Sequence, residues 1–158
     1  MSEHPHDKLQ QEEAPRRAGL ALVKDGRWAG WYHWEPVDHF EEHAGPFYCQ
    51  PEGDSVLCGF VPEAKNRNGG GNIHGGALMT FADYALFMIA GGMDTSVHGV
   101  TMNMNCDFVG AAEPGQLLTA RGEVVRAGGS VVFVRGIIDD AGRNVLSFSA
   151  SIKRFKPR

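Results

Sequence analysis

The chain has 158 residues, a net charge of −4 and 42% apolar residues, enough for one domain with a real core rather than two. An acidic chain without a basic stripe is a poor nucleic-acid binder. Its three cysteines, Cys49, Cys58 and Cys106, form no CxxC pair, which argues against a disulfide framework and a zinc knuckle and makes the reducing cytoplasm the expected location.

Residues 1–18 are polar and charged, without the apolar run of a secretory leader, and read as a peripheral tail. Residues 19–46 form an aromatic-rich extension in which Trp28, Trp31 and Trp34 recur at every third position. Stripes of this kind usually bury area, so packing against the body or a subunit partner is expected over a ligand box. Asp38 to His43 reads as a short capped helix stopped by Gly45 and Pro46. It also spells H-x-x-E-H, the letters of an inverted zinc-protease motif. The helix is too short for that chemistry, and an exposed polar face is the expected reading.

The main domain is expected over residues 47–158. A strand from Ser55 to Val61 is closed by Pro62. A glycine-rich loop from Asn68 then ends at His74, Gly75 and Gly76, and a nearly all-apolar helix follows from Ala77 to Ala90. Apolar residues all round a helix imply burial on all sides. The helix is too short to span a bilayer, so no membrane is expected. From Val100 to Val109 the period changes to two, with Val100, Met102, Met104, Cys106 and Phe108 on one face and Thr101 and Asn103 on the polar one. Three strands separated by short turns follow, Leu117–Arg126, Ser130–Ile138 and Asn144–Phe155, and should form an antiparallel meander. The expected class is α+β, an antiparallel sheet wrapped around one long central helix. Such a sheet covers the helix only on some sides, so a second subunit or another layer is needed.

One carboxylate, Asp83, interrupts the apolar helix, and a lone buried carboxylate is costly unless it is paired or kept for chemistry. His74 and Asp83 are nine residues apart, about 13–14 Å along a helix axis and roughly half a turn out of phase. They cannot converge on one small substrate from the same helix. If both are functional, a two-fold dimer must carry two equivalent sites, each built from the loop of one chain and the Asp of the other. Free N–H groups at the helix start, that of Gly75 among them, suit a developing oxyanion. Asp83 can serve as general base or nucleophile. The plainer alternatives are a capping role for His74 and a structural anchor role for Asp83.

The pattern of Asn68, Gly71, His74, Gly75 and Gly76, followed by Asp83, resembles the PaaI-like (phenylacetic-acid-degradation type) hotdog-fold acyl-CoA thioesterases. The likeness runs from about Phe47 to the C-terminus, and the Asn-to-His and His-to-Asp spacings make it specific. The resemblance implies that the Gly75 N–H polarises the thioester carbonyl, that Asp83 acts from the opposite subunit, and that Asn68 helps position the attacking group. It also implies that Thr101, eighteen residues after Asp83, helps hold the water. The extension around the three tryptophans lies outside the matched part.

The resemblance makes the substrate an acyl-CoA, with no metal and no cofactor beyond the CoA of the substrate. The partner is a second copy, with a dimer of dimers left open. Gly76, Asn103 and Arg126 are candidate substrate-binding residues. Arg121, Lys153, Arg154, Lys156 and Arg158 are further candidates for the CoA phosphates. Met79, Phe81, Tyr84, Phe87, Met88 and the tryptophans Trp28, Trp31 and Trp34 offer apolar walls suited to an aryl or medium-chain acyl group, the extension either joining the acyl pocket or covering the sheet edge. The competing reading is a hotdog acyl-CoA-binding protein without turnover, which would not need the carboxylate. A hotdog dehydratase pattern (Asp-x-Asn-Pro-x-His) is not found, and the loop lacks the GK[ST] ending of a P-loop.

Overall fold

A single mixed-order sheet and one long helix dominate the computed structural model, which describes residues 19–95 and 98–155. The expected tail 1–18 and the candidates Lys156 and Arg158 lie outside the described residues. The elements are β1 (Gly19–Leu22), β2 (Tyr32–Glu35), α1 (His39–Ala44), β3 (Phe47–Glu52), β4 (Ser55–Phe60), α2 (Gly75–Gly91), β5 (Gly99–Phe108), β6 (Leu118–Ala127), β7 (Val131–Asp140) and β8 (Arg143–Arg154). They form an eight-stranded sheet in the order β1-β2-β3-β4-β6-β7-β8-β5, with every pairing antiparallel. The expected meander is β6-β7-β8. The strand after the helix does not join β6 directly but lies at the far edge, against β8.

The aromatic extension forms a hairpin, β1–β2, that continues the sheet beyond β3. Trp28 stacks on Tyr48 at 4.1 Å, and Trp28 and Trp31 meet edge to face. Both rings close over Gly59, where an added Cβ would lie 2.7 Å from either one. These two tryptophans therefore cover the side of β4 opposite Phe60. They pack against the body of the chain rather than lining the pocket beside Asp83.

The helix α2 lies across the other face of the sheet. Phe81, Ala82, Ala85 and Leu86 are fully buried, against core residues such as Phe60, Ala120, Val134 and Phe148. Gly122 on β6 lets helix and sheet close up, and Gly136 on β7 makes room for the Phe148 ring of β8. A Cβ at Gly122 would sit 2.8 Å from Ile89 Cδ1, and one at Gly136 would run into the Phe148 ring. Gly92 ends the helix at φ 63°, a left-handed conformation that glycine adopts without strain. Among the described residues, no helix is long and apolar enough to cross a membrane.

The helix is not buried on all sides within one chain, in line with a sheet that covers it only on some sides. Gly76, Met79, Thr80, Asp83 and Phe87 lie on a side left partly open, and Met79 is 37% exposed. Of the expected apolar wall, Phe81, Tyr84 and Met88 belong to the core, whereas Met79 and Phe87 face the open side.

The expected alternation along β5 needs correction. The register against β8 shifts between Thr101 and Asn103. A bulge inserts one residue and turns everything after it to the other face. Thr101 thus shares the helix-facing side with Met104 and Cys106, while Asn103 and Asn105 point outward and hydrogen-bond each other at 3.0 Å. Val100 and Met102 are half exposed at this sheet edge.

Candidate active site

The glycine-rich loop is held rigidly at the helix start. The buried Asn66 accepts from the Glu63 N–H, donates to the Ala44 carbonyl at 2.7 Å, and through its own carbonyl accepts the His74 N–H at 2.7 Å. Asn68 turns the loop: its Oδ1 accepts the Gly70 N–H at 2.8 Å, and its backbone exchanges bonds with Gly71 and Asn72. His74 is the N-cap of α2, and its Nδ1 accepts the Gly76 N–H at 2.8 Å. That acceptance leaves the imidazole proton on Nε2. The Gly76 N–H is therefore engaged in capping, and its carbonyl accepts the Thr80 hydroxyl at 2.9 Å, so neither of its backbone polar groups is free of a partner. The Gly75 N–H has no acceptor among the described residues. A Cβ at Gly75 would lie 3.0 Å from the ring of Phe108, so this glycine and that ring form the wall of the helix start.

Nine residues along the helix, Asp83 meets a different neighbourhood. Thr101 Oγ1 donates to Asp83 Oδ1 at 2.6 Å. The pair forms because the bulge in β5 turns Thr101 toward α2. Asp83 opens onto a pocket of about 350 Å³ with Thr80, Met79 and Met104 on one side and Asp38, Phe40 and Glu41 of the α1 region on the other. Its second oxygen accepts no hydrogen bond among the described residues.

Glu41 was hidden in the sequence by its position in a polar hexapeptide. The expectation of an exposed polar face holds for His39, Glu42 and His43 but not for Glu41, which turns inward between β2 and α2. Burial pushes its carboxyl up to about 7, the charges of Asp38 and Asp83 add to this, and a hydrogen bond with Trp34 works against it. Its Oε2 is buried with no hydrogen-bond partner among the described residues. Among the described residues no three His, Cys, Asp or Glu side chains are grouped so as to hold a metal ion.

The remaining candidates fall elsewhere. Asn103 and Arg126 come together, but in a groove of about 450 Å³ on the outer face of the sheet, beside Asn105, Phe133, Arg135 and Ser151. The structure thus separates this pair from Asp83, which lies on the helix side. Arg121 is occupied by Glu52, at 2.8 and 3.0 Å, and by Asp139 at 3.4 Å, and Arg154 donates to the Gly128 carbonyl.

A curated Pseudomonas aeruginosa protein that carries an esterase name is 30% identical over 107 residues, 66% of this chain and 80% of that protein. The thioesterase superfamily matches residues 70–147, which span the loop, α2 and the strands up to β8. The chain belongs to the thioesterase superfamily. Solved structures give this thioesterase the hotdog fold. The PaaI protein of the Escherichia coli phenylacetic acid degradation operon superposes with a TM-score of 0.68 at 20% identity, covering 77% of this chain and 88% of its own. A thioesterase-type protein from Streptococcus pneumoniae, solved with coenzyme A, has a TM-score of 0.65 at 24% identity, covering 76% of this chain and 95% of its own. The class of reaction is thioester hydrolysis.

Proposed function

We propose that this chain is an acyl-CoA thioesterase that cleaves aryl- or medium-chain acyl-CoA to free acid and CoA in a site shared across a homodimer. The observation that carries this reading is the position of the Asp83–Thr101 pair. It sits on the uncovered side of the same helix whose far end offers the Gly75 N–H. On a straight helix these two groups are about 12 Å apart along the axis, too far for one carbonyl. A second copy laid antiparallel against the open side of α2 brings its Gly75 to this Asp83. The edge strand β5, with Val100 and Met102 half exposed, supports continuation of the sheet into that copy.

In the reaction so derived, the Gly75 N–H of one chain binds the carbonyl oxygen, with Asn68 on the same loop helping to position the attacking group. Asp83 of the other takes a proton from water as the water oxygen bonds to the carbonyl carbon, or attacks that carbon itself to give, once sulfur has left, an acyl-aspartyl anhydride that water hydrolyses to the free acid and Asp83. Thr101 fixes the carboxylate and helps hold the water. His74 fixes the loop by capping. The negative charge of the tetrahedral intermediate rests on the helix N-terminus. Collapse breaks the C–S bond, its electron pair stays on sulfur, and the thiolate is protonated to give CoA. Met79, Met104 and Phe87 offer apolar surface for the acyl group. CoA in the Streptococcus pneumoniae relative supports a CoA thioester as substrate. No metal or redox group enters this scheme.

The test is thiol release from a panel of aryl-acetyl, short, medium and long acyl-CoAs, with and without chelator, for the native protein and Asp83→Asn. Chelator-insensitive turnover that is nearly abolished in the variant, with oligomeric state unchanged, is the expected result. Full activity in Asp83→Asn would remove Asp83 from the mechanism. Loss of the dimer in that variant would make it a structural anchor.

A further inference from the structure

Helix α1 is the part of the pocket for which neither the spacing of motifs nor the thioesterase match, which begins at residue 70, offers a role. Its Glu41 lines the same cavity as Asp83, Thr80 and Met104. One carboxyl oxygen is buried without a partner among the described residues, and the side chain is held by Trp34. On its other side a void of about 10 Å³, walled by His33, Val37 and Phe47, has room for about one water. We propose that Glu41 is a positioning residue of the site whose neutral form keeps a further negative charge away from Asp83 while the reaction runs. This rests on the reading of Asp83 as the reacting carboxylate.

Hydrolysis adds negative charge beside Asp83 when the oxyanion forms. A further carboxylate charge lining the same pocket is repulsive to it. The groups around Glu41 make its neutral form the favoured one. Asp38 and Glu42 of the α1 region and Asp83 of α2 are acidic, Tyr84 of α2 and Cys58 of β4 lie close enough to interact with its charge, and Trp34 of β2 contributes an uncharged N–H. His33 of β2 is the one side chain of this set able to carry positive charge. Burial and the two nearby carboxylates hold the Glu41 proton up to about pH 7. Below that point Glu41 adds no negative charge to a pocket that Asp38 and Asp83 already line. Above it the Glu41 charge opposes both the oxyanion and the approach of an anionic substrate.

The experiment is kcat/KM against pH for native protein, Glu41→Gln and Asp83→Asn, with melting temperature and oligomeric state followed in parallel. The native profile should descend on its alkaline side with a midpoint near pH 7. The drop should be about tenfold or more. Glu41→Gln, folded and dimeric, should keep near-native activity at acid pH and lose this limb. The same limb in Glu41→Gln, or an inactive but folded variant at every pH, would overturn the proposal. If Glu41→Gln does not fold, the carboxyl carbon of Glu41, followed by NMR in folded native protein and Asp83→Asn, decides. Its midpoint should move to lower pH when the Asp83 charge is removed, and an unmoved midpoint would overturn the proposal. An active Asp83→Asn variant would show instead that the underlying reading of Asp83 has failed.

Discussion

Thr101 holds Asp83 by a 2.6 Å hydrogen bond from a strand eighteen residues further along the chain. The bond orients one carboxylate oxygen, and the other has no hydrogen-bond donor among the described residues. A hydrogen bond to a charged group contributes about 1.5–3 kcal/mol, or roughly 10- to 150-fold in rate where it orients the reacting group. Thr101→Val should therefore lower kcat/KM by about that factor, while Thr101→Ser should stay within a few-fold of native. Steady-state kinetics on the two variants checks this, and equal losses in both would point to packing by the Thr methyl.

Gly75 presents its N–H beside the Phe108 ring, with space for no side chain. The ring is half exposed at the end of a flexible side chain, so it can move aside and the fold should tolerate Gly75→Ala. Alanine is also the better helix former. Activity should still drop by about tenfold or more, because a methyl group and a displaced ring would intrude where the thioester carbonyl must fit. Thermal melts and kinetics together separate the two effects, with the melting temperature held or raised and kcat/KM lowered.

The stability of the protein should carry the mark of Glu41. Folded, its carboxyl keeps the proton to about pH 7, whereas unfolded it releases it near 4.5. Between those values the folded state binds more protons, so stability falls as pH rises and the loss is complete above the upper value. The contribution is on the order of 3 kcal/mol. Glu41→Gln should gain stability relative to native as pH rises across this window, with no such gain at lower pH. Urea unfolding at a series of pH values measures it.

The tryptophans of the extension are expected to be structural. Gly59→Ala would drive a methyl group into the rings of Trp28 and Trp31, on the face of β4 turned away from Phe60. Overpacking of this kind costs about 1–3 kcal/mol. Tryptophan emission should shift to longer wavelength as the rings are displaced, and kcat should change little. A large loss of kcat with the fold intact would give the extension a part in the chemistry.

Much of this arrangement could be read from residue order. The apolar run broken by Asp83, the loop ending at His74 and Gly75, and the three-strand meander all come from local periodicity and turn chemistry. The bulge in β5 could not be read, because polar and apolar residues alternate without a break through Thr101, Met102 and Asn103. That one inserted residue sends Asn103 to the outer groove with Arg126 and gives Thr101 to Asp83. Glu41 was equally hidden. Its burial comes from β2 and α2, which pack around it from positions before and far beyond it in the chain, while its immediate neighbours spell an exposed polar helix.

The sharing of one site by two chains is tested most directly by mixing subunits. Asp83→Asn and Asn68→Ala chains, each nearly inactive alone, are co-folded and the heterodimer is isolated by differential tags. In the shared arrangement both substitutions fall in one of the two sites and the other is intact, so thiol release should recover to about half the native rate per dimer. A heterodimer as inactive as its parents would contradict the cross-subunit site.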